Sequence, residues 1–527
     1  MTDFNNKTST GVNEKKFLIT TSLPYMNASL HIGHAYELVL ADVMARYHRQ
    51  KGEKVFFLTG ADEHGDKIIA AAQKDGVGPQ MFVDKNVARF KELIEKLSIT
   101  NDAFIRTSDK EHHWPGATKL WQEIATSGDI YKGTYKGLYC VGCEAFITEK
   151  ELVDGKCPHH ATAPENIEEE NYFFKLSKYA PEIKRLLESG DLKVTPKSKA
   201  REMLALIEGD IGDVSISRPD RTIPWGIPVP DDSSQLMYVW CDALSNYISA
   251  LGYGRANDEN FRTLWPADVQ VIGKDIARFH VILWTAMLLS AKLPIPSEFF
   301  VHGFITSAGK KMSKSIGNVL YAEDFIDEYG VDALRYYLVR EISPIDDGDM
   351  TNEKFKEVYN ANLANGIGNL TSRTLKMAEQ YFNGVVTGSS NLVPSFRTKV
   401  TVMETSGDIP GLNIPYVVTN DILPRYHKYM SDGEVNKAAD VIWELVGYLD
   451  QFVTDYEPFK LVKSDKKATE NILWGLLYGL HNIGQMLTPI MPSTSEKIAH
   501  LVGFSADSAG EIVFNANTPE EPLFMRK

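Results

Sequence analysis

The strongest constraint on the fold is a strand–helix–strand pattern that begins at Phe17. An apolar run, FLITTS, is followed by a loop, a long helical period, HIGHAYELVLADVMARYHRQKG, and a second apolar run, KVFFLTG, which ends in a polar ADEHGDK. This alternation predicts a βαβ unit with parallel strands. Ligands of open parallel sheets bind beyond the carboxyl ends of the strands. We therefore expect LPYMNASLHIGH (23–34) and ADEHG (61–65) to face one crevice.

The same alternation returns in the second half of the chain. DVQVIGKD (268–275) ends a predicted strand before the helical run IARFHVILWTAMLLSAK, and EFFVHGFIT (298–306) ends another before SAGKKMSKSIGN (307–318). Residues 131–235, between the halves, carry three of the four cysteines, acidic runs and many prolines, which indicates an insertion. Beyond about residue 351 long helical periods dominate, and a Gly/Ser/Pro-rich stretch from 382 to 415 is expected to be a long loop.

Size and composition narrow the class of protein. At about 150 residues per domain, the 527-residue chain corresponds to three or four domains. Its 43% hydrophobic and 24% charged residues are typical of a soluble globular chain, and a net charge of −14 argues against non-specific binding of polyanions. The longest apolar stretch, which begins at Ile472, is interrupted by His481 and two prolines and predicts a packed helix. Residues 1–16 contain no apolar leader, so we expect a cytoplasmic protein without membrane contact.

The clustered cysteines have the spacing of a metal site. Cys140, Cys143, Cys157 and His160 follow the pattern C-x2-C-x13-C-x2-H, which is typical of a closed, structural zinc site. His159 is the competing fourth ligand. The alternative is a knuckle whose cysteines are simply small buried residues that no longer hold a metal.

Two further segments have the chemistry of phosphate binding. His31 and His34 lie three residues apart at a predicted helix start, where free N–H groups and the positive end of the helix dipole favour phosphate, and Gly33 leaves room for a base. The lysines of KKMSKS lie in a glycine-flanked loop and can neutralise charge on a leaving pyrophosphate. Taken singly, the histidines fit plain capping residues and the lysines fit a solvated face.

The pair HIGH and KMSKS resembles the signatures of the class I aminoacyl-tRNA synthetases. LPYMNASLHIGH, GADEHGDK, YVWCDALSNY, GKDIARFH and KKMSKSIGN are similar, in order and spacing, to the methionyl-tRNA synthetase family over nearly the whole chain. The resemblance implies ATP contacts from Asn27, His31, Gly33, His34, Glu37, Gly273, Asp275, Lys311 and Lys314. Of these, His31, His34, Lys311 and Lys314 are expected to be catalytic and to contact the phosphates.

The methionine-binding residues follow from the same resemblance. It implies that Asp62 holds the amino group and that the side-chain pocket is formed by Leu23, Tyr25, Trp240, Ala243, Leu244, Tyr247 and His280. Trp240, Ala243, Leu244 and Tyr247 have the spacing of one helix face, which on spacing alone indicates a core stripe. Likewise, Asp62 can be a helix cap and His280 a satisfied core histidine.

The helical region carries the tRNA-binding prediction. Asn365, Asn369 and Arg373 have i, i+4, i+8 spacing, which by itself is typical of a solvated face. The resemblance implies that these residues, with Pro458 and Phe459, read the CAU anticodon by hydrogen bonds and stacking on unstacked bases. Many relatives have tryptophan at the position of Phe459, so stacking is expected to survive but weaken.

The implied reaction suits these residue types. A carboxylate is already ionised at neutral pH, so its attack on the α-phosphate of ATP needs no general base. The expected activity is a methionine–tRNA ligase that forms methionyl-adenylate, releases pyrophosphate and transfers methionine to tRNA(Met), including the initiator. Mg²⁺ arrives with ATP. The chain is expected to act as a monomer.

The predicted fold class is α/β. It consists of a doubly wound parallel Rossmann-type catalytic domain (1–130 and 236–310), an inserted zinc-knuckle connective domain (131–235), a KMSKS and stem-contact region (311–350) and an all-α anticodon-binding bundle (351–527).

Two rival functions stay open on sequence grounds. One is another class I synthetase, but the branched-chain enzymes need a large editing domain for which an insertion of about a hundred residues is too short. A cysteine enzyme would place its zinc ligands beside the strand ends. The other rival is a tRNA-binding or assembly protein without catalysis, which intact HIGH and KMSKS argue against.

Overall fold

The computed structural model describes residues 15–140, 145–147, 149, 152–158, 162–209, 211–219, 225–312, 317–389, 413–506 and 511–527. The chain divides into two compact units. The first comprises residues 1–29, 48–90 and 100–301, and the second comprises residues 30–47, 91–99 and 302–527.

The strands up to residue 302 build the first unit's sheets. They are β1 (Lys16–Thr21), β2 (Lys54–Ala61), β3 (Ala103–Arg106), β4 (Ile130–Cys140), β5 (Ala145–Ile147), β6 (Glu165–Phe174), β7 (Lys193–Thr195), β8 (Val214–Ser215), β9 (Ser217–Pro219), β10 (Pro228–Val229), β11 (Asp232–Met237), β12 (Val269–Gly273) and β13 (Glu298–His302).

The helices over the same part of the chain are α1 (Ile32–Gln50), α2 (Asp66–Lys74), α3 (Pro79–Lys96), α4 (Trp114–Thr126), α5 (Leu176–Ser189), α6 (Lys197–Glu208), α7 (Val239–Leu244), α8 (Asn246–Ser249), α9 (Glu259–Leu264) and α10 (Thr285–Ser290). A π-helical stretch, Phe279–Trp284, leads directly into α10.

The predicted parallel sheet is confirmed. Six strands lie in the order β3-β2-β1-β12-β13-β7, and β1 pairs in parallel with both β2 and β12. From β1 the chain runs outward through β2 and β3, and it later returns to the other side of β1 with β12. The strand order therefore switches between β1 and β12, which is where open parallel sheets bind ligands.

The sheet is strongly apolar because it is covered on both faces. Residues 17–21 of β1 are buried, and Leu18, Trp284 and Phe299 belong to one continuous core cluster. Full burial of each such side chain contributes about 1.5–3 kcal/mol. This core holds the carboxyl ends of β1, β2 and β12 in fixed register.

The described residues of the insertion form two small antiparallel sheets. One has the order β5-β4-β6-β8 and the other β10-β11-β9. In sequence, β7 lies between β6 and β8 of the first of these sheets, but it pairs in parallel with β13 at the edge of the main sheet. The stretch 131–235 thus also contributes a strand to the six-stranded sheet.

The second unit is mainly helical. Its helices are α11 (Ala322–Tyr329), α12 (Val331–Arg340), α13 (Asn352–Val358), α14 (Asn369–Phe382), α15 (Asn413–Val417), α16 (Leu423–Ser431), α17 (Val435–Tyr456), α18 (Pro458–Leu461), α19 (Lys466–Leu487) and α20 (Pro492–Val502). Its strands are β14 (Ile305–Ser307), β15 (Lys310–Lys311), β16 (Gly348–Asp349), β17 (Val385–Ser389), β18 (Phe504–Ala506) and β19 (Glu511–Asn515).

The prediction of an all-α bundle is wrong in one respect. β17, β19 and β18 form an antiparallel sheet, in which β17 occupies the start of the stretch predicted as a loop. The reason is the alternation in EIVFN, which buries Ile512 and Phe514 on one face while its ends stay exposed. The rest of the predicted loop, 390–412, lies outside the described residues.

A buried arginine ties helices of the second unit together. Arg335 of α12 is fully buried, and its guanidinium lies 2.7 Å from the carboxylate of Asp42 on α1. It also donates to the carbonyls of Leu97, Pro489 and Ile490 at 3.0, 2.9 and 2.9 Å. All of its charge is therefore matched by acceptors, which is the condition for burying it.

The apolar helix predicted from Ile472 is α19, whose residues from Ile472 to Leu477 are buried in the bundle. Among the helices in the described part of the chain, not one is both long and apolar enough to cross a bilayer.

Candidate active site

The segments after β1 and β2 lie side by side in the first unit. Tyr25 and Asp62 form a parallel bridge, with the amide of Met26 donating to the carbonyl of Asp62 (2.9 Å) and the amide of Asp62 donating to Pro24 (3.0 Å). LPYMN and ADEHG therefore adjoin at the carboxyl edge of the sheet, as predicted. Asp62 is partly buried, and Leu23 packs against the main core cluster.

The aromatic residues of the predicted pocket lie on α7, α8 and the π-helical stretch. Trp240 stacks on Phe279 with ring centres 3.9 Å apart and planes 6° apart. Tyr247 and His280 are joined by a 2.8 Å hydrogen bond, and Ala243 and Leu244 are buried on α7. Phe279 was not singled out by sequence reasoning, although it precedes His280 in GKDIARFH.

His280 is held by hydrogen bonds at both ring nitrogens. Its Nδ1 lies 3.1 Å from the carbonyl of Ile276, so it donates there, and its Nε2 lies 2.8 Å from the Tyr247 hydroxyl. The ring is 3% exposed. This is the geometry of a satisfied core histidine, and it also gives the pocket wall a fixed shape.

Sequence reasoning missed a buried network next to these residues. The carboxylate of Asp242 on α7 lies 2.5 Å from Nδ1 of His64 and 2.7 Å from Nε2 of His113. Burial raises the pKa of Asp242, but His64 and His113 more than offset it and the pKa lies below its ordinary value. No local pattern reveals this network, because its members are 129 and 178 residues apart.

The HIGH segment belongs to the second unit, where it begins α1. The amide of Gly33 donates to Nδ1 of His31 (3.0 Å), and the amide of His31 donates to Nδ1 of His34 (3.1 Å). Because each Nδ1 accepts, the ring proton of both histidines lies on Nε2. Burial, and then the neighbouring His31, lower the pKa of His34 to about 3. At neutral pH His34 is a hydrogen-bond donor and not an acid.

Glycine at position 33 has a local reason. A Cβ there would lie 2.9 Å from Cε1 and 3.0 Å from Nδ1 of the His31 ring, which is closer than carbon atoms approach. The absent side chain therefore makes room for His31 itself.

The start of α1 is bonded to the segment that follows KMSKS. The amide of Ile32 donates to the carbonyl of Leu320 at 2.9 Å. Both segments belong to the second unit, so the HIGH signature lies beside the segment that follows KMSKS.

The first lysines of KKMSKS lie on a short hairpin. Lys311 pairs with Thr306 and Lys310 with Ser307, and the turn is fixed by the Gly309 amide, which donates to Asp349 at 2.7 Å. Both lysines are exposed, and the ammonium of Lys311 lies 5.3 Å from the centre of the Phe304 ring. Lys314 lies outside the described residues.

Glu37 is held by a residue that sequence reasoning did not assign. Nε2 of His302 lies 2.9 Å from the Glu37 carboxylate, and Nδ1 lies 2.8 Å from the carbonyl of Gly303. Both ring nitrogens of His302 therefore face an acceptor, which fixes the orientation of the ring beside Glu37. The histidine in EFFVHGFIT was the available signal.

The other predicted ATP contacts follow strand ends in the first unit. Gly273 is the buried last residue of β12, and Asp275 is exposed two residues later. Asn27 is partly buried in the loop after β1. The amide of Ser22 donates to Val271 at 3.1 Å, so the loops after β1 and β12 start side by side.

The predicted anticodon residues lie at the surface of the second unit. Asn365 is exposed on a π-helical stretch, Tyr359–Gly368, and Asn369 is exposed at the start of α14. The guanidinium of Arg373 is 3.4 Å from the carboxylate of Asp450 on α17. Pro458 is buried, whereas Phe459 is 44% exposed.

Two of the predicted zinc ligands can be placed. Cys140 and Cys157 are buried in one small cluster with Ile147 in the first unit, so the fold brings thiols 17 positions apart to one place. Cys143, His159 and His160 lie outside the described residues, and within those that are described no three metal-binding side chains converge. The thiols of Cys140 and Cys157 are suitable zinc ligands, but they supply only two of the four that a closed site needs.

Comparison with known proteins identifies the class. The family model for tRNA synthetases class I (M) matches residues 17–167 and 160–375 of the chain. The chain is thus a member of the class I tRNA synthetases, as HIGH and KMSKS predicted.

Similar proteins of known name narrow the class to one family. The methionine–tRNA ligase of Thermotoga maritima is 41% identical over 505 residues, which cover 95% of this chain and 77% of that protein. That of Brucella suis is 38% identical over 94% of this chain and 93% of its own length. The chain belongs to the methionine–tRNA ligase family, and the activity predicted from the sequence is confirmed at that level.

Solved structures agree with this assignment. Methionyl-tRNA synthetase of Mycobacterium tuberculosis in complex with methionyl-adenylate superimposes with a TM-score of 0.88 at 32% identity, covering 97% of this chain and 100% of that one. The free state of the same enzyme gives a TM-score of 0.81 at 29% identity, with 98% of each chain covered. The parallel-sheet domain and the helical carboxyl-terminal region are therefore those of a methionyl-tRNA synthetase.

Proposed function

We propose that the chain activates L-methionine with ATP to give methionyl-adenylate and pyrophosphate, and then transfers methionine to the 3′ end of tRNA(Met), initiator tRNA included. The observation that carries this proposal is the bond between Ile32 and Leu320, which joins the HIGH helix to the flank of KMSKS in one unit. The relatives named for this activity support the choice of amino acid.

The protein's role in the first step is alignment and charge stabilisation. The methionine carboxylate attacks the α-phosphate, the bond to the β-phosphate breaks, and pyrophosphate takes the leaving electron pair. His31 and His34 each present a proton on Nε2, so they donate hydrogen bonds to phosphate oxygens without giving up a proton. Lys311 and Lys314 are proposed to stabilise the charge that develops on pyrophosphate. Mg²⁺ bound to ATP neutralises part of the phosphate charge.

Methionine is proposed to bind in the first unit. Asp62 pairs with the amino group, and Leu23, Tyr25, Trp240, Ala243, Leu244, Tyr247 and His280 surround the thioether. A polarizable sulfur is well accommodated beside aromatic rings. Asn27, Glu37, Gly273 and Asp275 are proposed to hold ATP.

The tRNA is proposed to bind the helical region through its anticodon. The exposed amides of Asn365 and Asn369 and the guanidinium of Arg373 offer hydrogen bonds to base edges, and the exposed ring of Phe459 offers a stacking surface next to Pro458. We assign the anticodon to 351–527, the acceptor stem to 311–350 and the chemistry to 1–130 with 236–310.

Cys140, Cys143, Cys157 and His160 are proposed to hold a structural zinc in the 131–235 insertion. Four protein ligands would leave no position for substrate, so a bound zinc would have a structural role. It would cross-link the knuckle. Metal analysis of the purified protein should find about one zinc per chain. A well-folded preparation without metal would show that the knuckle has lost it. A monomeric state and a cytoplasmic location remain predictions.

The decisive experiment is amino-acid-dependent exchange of pyrophosphate into ATP without tRNA. Methionine should support exchange, whereas leucine and cysteine should not. Exchange with leucine or cysteine in preference to methionine would assign another substrate. No exchange by folded protein that binds tRNA(Met) would leave the non-catalytic reading standing.

A further inference from the structure

The buried carboxylate of Asp242 joins the two segments that carry the proposed methionine-binding residues. Asp242 lies on α7 between Trp240 and Ala243, and His64 follows Asp62 by two residues. We propose that Asp242, with His64 and His113, is a positioning group that sets the distance between the amino-group ligand and the side-chain pocket, and so tunes selectivity for methionine. This inference rests on the proposed methionine site.

The network links α7 to the segment that follows β2 and to α8. His64 Nδ1 and His113 Nε2 lie 2.5 and 2.7 Å from the two oxygens of Asp242, and His113 Nδ1 lies 2.8 Å from the hydroxyl of Ser249. Ser249 belongs to α8, the helix that carries Tyr247. The three residues of the network are at most 2% exposed. A movement of α7 therefore requires that a buried charged hydrogen bond break.

The charge of Asp242 gives the network its stiffness. The carboxylate accepts one N–H on each oxygen, and hydrogen bonds to a charged acceptor are about twice as strong as those between neutral groups. His113 donates to Asp242 through Nε2, and its Nδ1 is hydrogen-bonded to the hydroxyl of Ser249, so both ring nitrogens are held. An asparagine in place of Asp242 has one acceptor oxygen only, and its NH2 group would face an N–H donor.

The Asp62 segment has little freedom to adjust on its side. The indole of Trp225 donates to the carbonyl of Glu63 at 2.6 Å and contacts the His64 ring edge-on, with centres 5.4 Å apart. Glu63 is paired with Arg106 at 2.6 Å. Because residues 62–64 are fixed on one side and α7 on the other, the bond between His64 and Asp242 is the element that sets their separation.

The test measures methionine and ATP separately in pyrophosphate exchange. Asp242→Asn should raise KM for methionine about 10-fold or more, leave KM for ATP within about twofold, and lower the preference for methionine over leucine in kcat/KM. His64→Ala should act in the same direction, and His64→Gln should restore part of the loss because its amide can still donate to Asp242. If Asp242→Asn does not fold, the two His64 variants decide.

The matched control is Asp109→Asn. Asp109 and His112 form the same kind of pair at 2.9 Å in the same unit, but at the surface. This variant should leave both KM values unchanged. Equal increases in both KM values for the Asp242 or His64 variants, or no change in selectivity, would overturn the inference and leave only a structural role.

A further variant separates this inference from the proposed site. Asp62→Ala should abolish or strongly weaken use of methionine. If it leaves KM for methionine unchanged, the proposed methionine site is wrong. If it raises that KM while the Asp242 and His64 variants do not, the site stands and only the positioning role fails.

Discussion

The proposed catalytic residues are fixed by hydrogen bonds, whereas most of the proposed anticodon residues are exposed. Asp62 is bracketed by backbone bonds to the loop after β1, His280 has both ring nitrogens bonded, and His34 accepts from a backbone amide. Asn365, Asn369 and Phe459 instead stand exposed on helices.

This difference separates two kinds of recognition. A preorganised group stabilises a transition state without losing conformational entropy at the moment of reaction. An exposed group loses that entropy when it binds, so it contributes to affinity and adapts to a flexible base. Substitutions on the catalytic side should therefore change rates of activation, and those on the anticodon side should change only tRNA-dependent steps.

The largest effect on activity is expected at His34. His34→Ala removes a fixed Nε2–H donor and should lower kcat of pyrophosphate exchange about 100-fold. His34→Gln should recover part of the rate, because an amide can donate in place of the ring. His112→Ala, at an exposed histidine, is the control. A near-normal rate for His34→Ala would remove that residue from the phosphate site.

The second prediction concerns the interior of the helical region. Burial lowers the pKa of His481 on α19 to about 4. Since the unfolded chain takes up this proton near pH 6.5 and the folded protein does not, the free energy of unfolding should fall as pH drops from about 6.5 to 4. The loss from His481 is about 3 kcal/mol.

Denaturant unfolding at several pH values checks this effect. His481→Phe should flatten the decline below pH 6.5, whereas His500→Gln at an exposed position should not. An unchanged slope in His481→Phe would show that this histidine is not held neutral. The comparison would then sharpen, because His34 on the catalytic side would be held neutral and His481 would not.

A third prediction tests the exposed stripe. Asn369→Ala and Arg373→Ala should each lower kcat/KM for tRNA charging by about 10-fold, as expected for loss of a base contact of about 1–3 kcal/mol, with pyrophosphate exchange unchanged. Lys437→Ala, at an exposed lysine outside the stripe, serves as control. Equal loss in both assays would refute the anticodon role and erase the distinction between the two regions.

The smallest effect is expected at Phe459. Phe459→Trp enlarges the stacking surface and should lower KM for tRNA a few-fold, which is within the about 1–3 kcal/mol that one stacked base contributes. Methionine activation should stay the same. A weaker affinity for tRNA would show that the ring does not stack on a base.

Local patterns predicted much of the fold. A window of about 20 residues is enough to show the apolar runs of β1, β2 and β12 and the helical periodicity of α1. The parallel sheet could therefore be predicted from them. The strands β17 to β19 were missed because Gly388 and Ser389 follow Val385 in a stretch rich in loop-forming residues. The pairing partner of β17 is β19, which lies more than a hundred residues away.

The site was less predictable for the same reason. HIGH and KMSKS are contiguous and could be recognised, but the partners that orient them are remote. Glu37 depends on His302, and His64 depends on Asp242, across 265 and 178 residues. Composition and periodicity carry no information on such pairs, so only the folded chain shows which polar residues are partners.

The buried arginine also has a consequence for synthesis of the chain. Asp42 is made early, but its partner Arg335 is completed only when the carbonyls of Pro489 and Ile490 are present. At 5–20 residues per second, a ribosome needs about 20–90 s to add the intervening stretch. Throughout that interval Asp42 has the guanidinium of Arg46 on its own helix at 2.7 Å, but the arginine that anchors α1 to the later helices does not yet have all its acceptors. The HIGH helix is thus among the first parts of the enzyme to be translated and among the last to be secured.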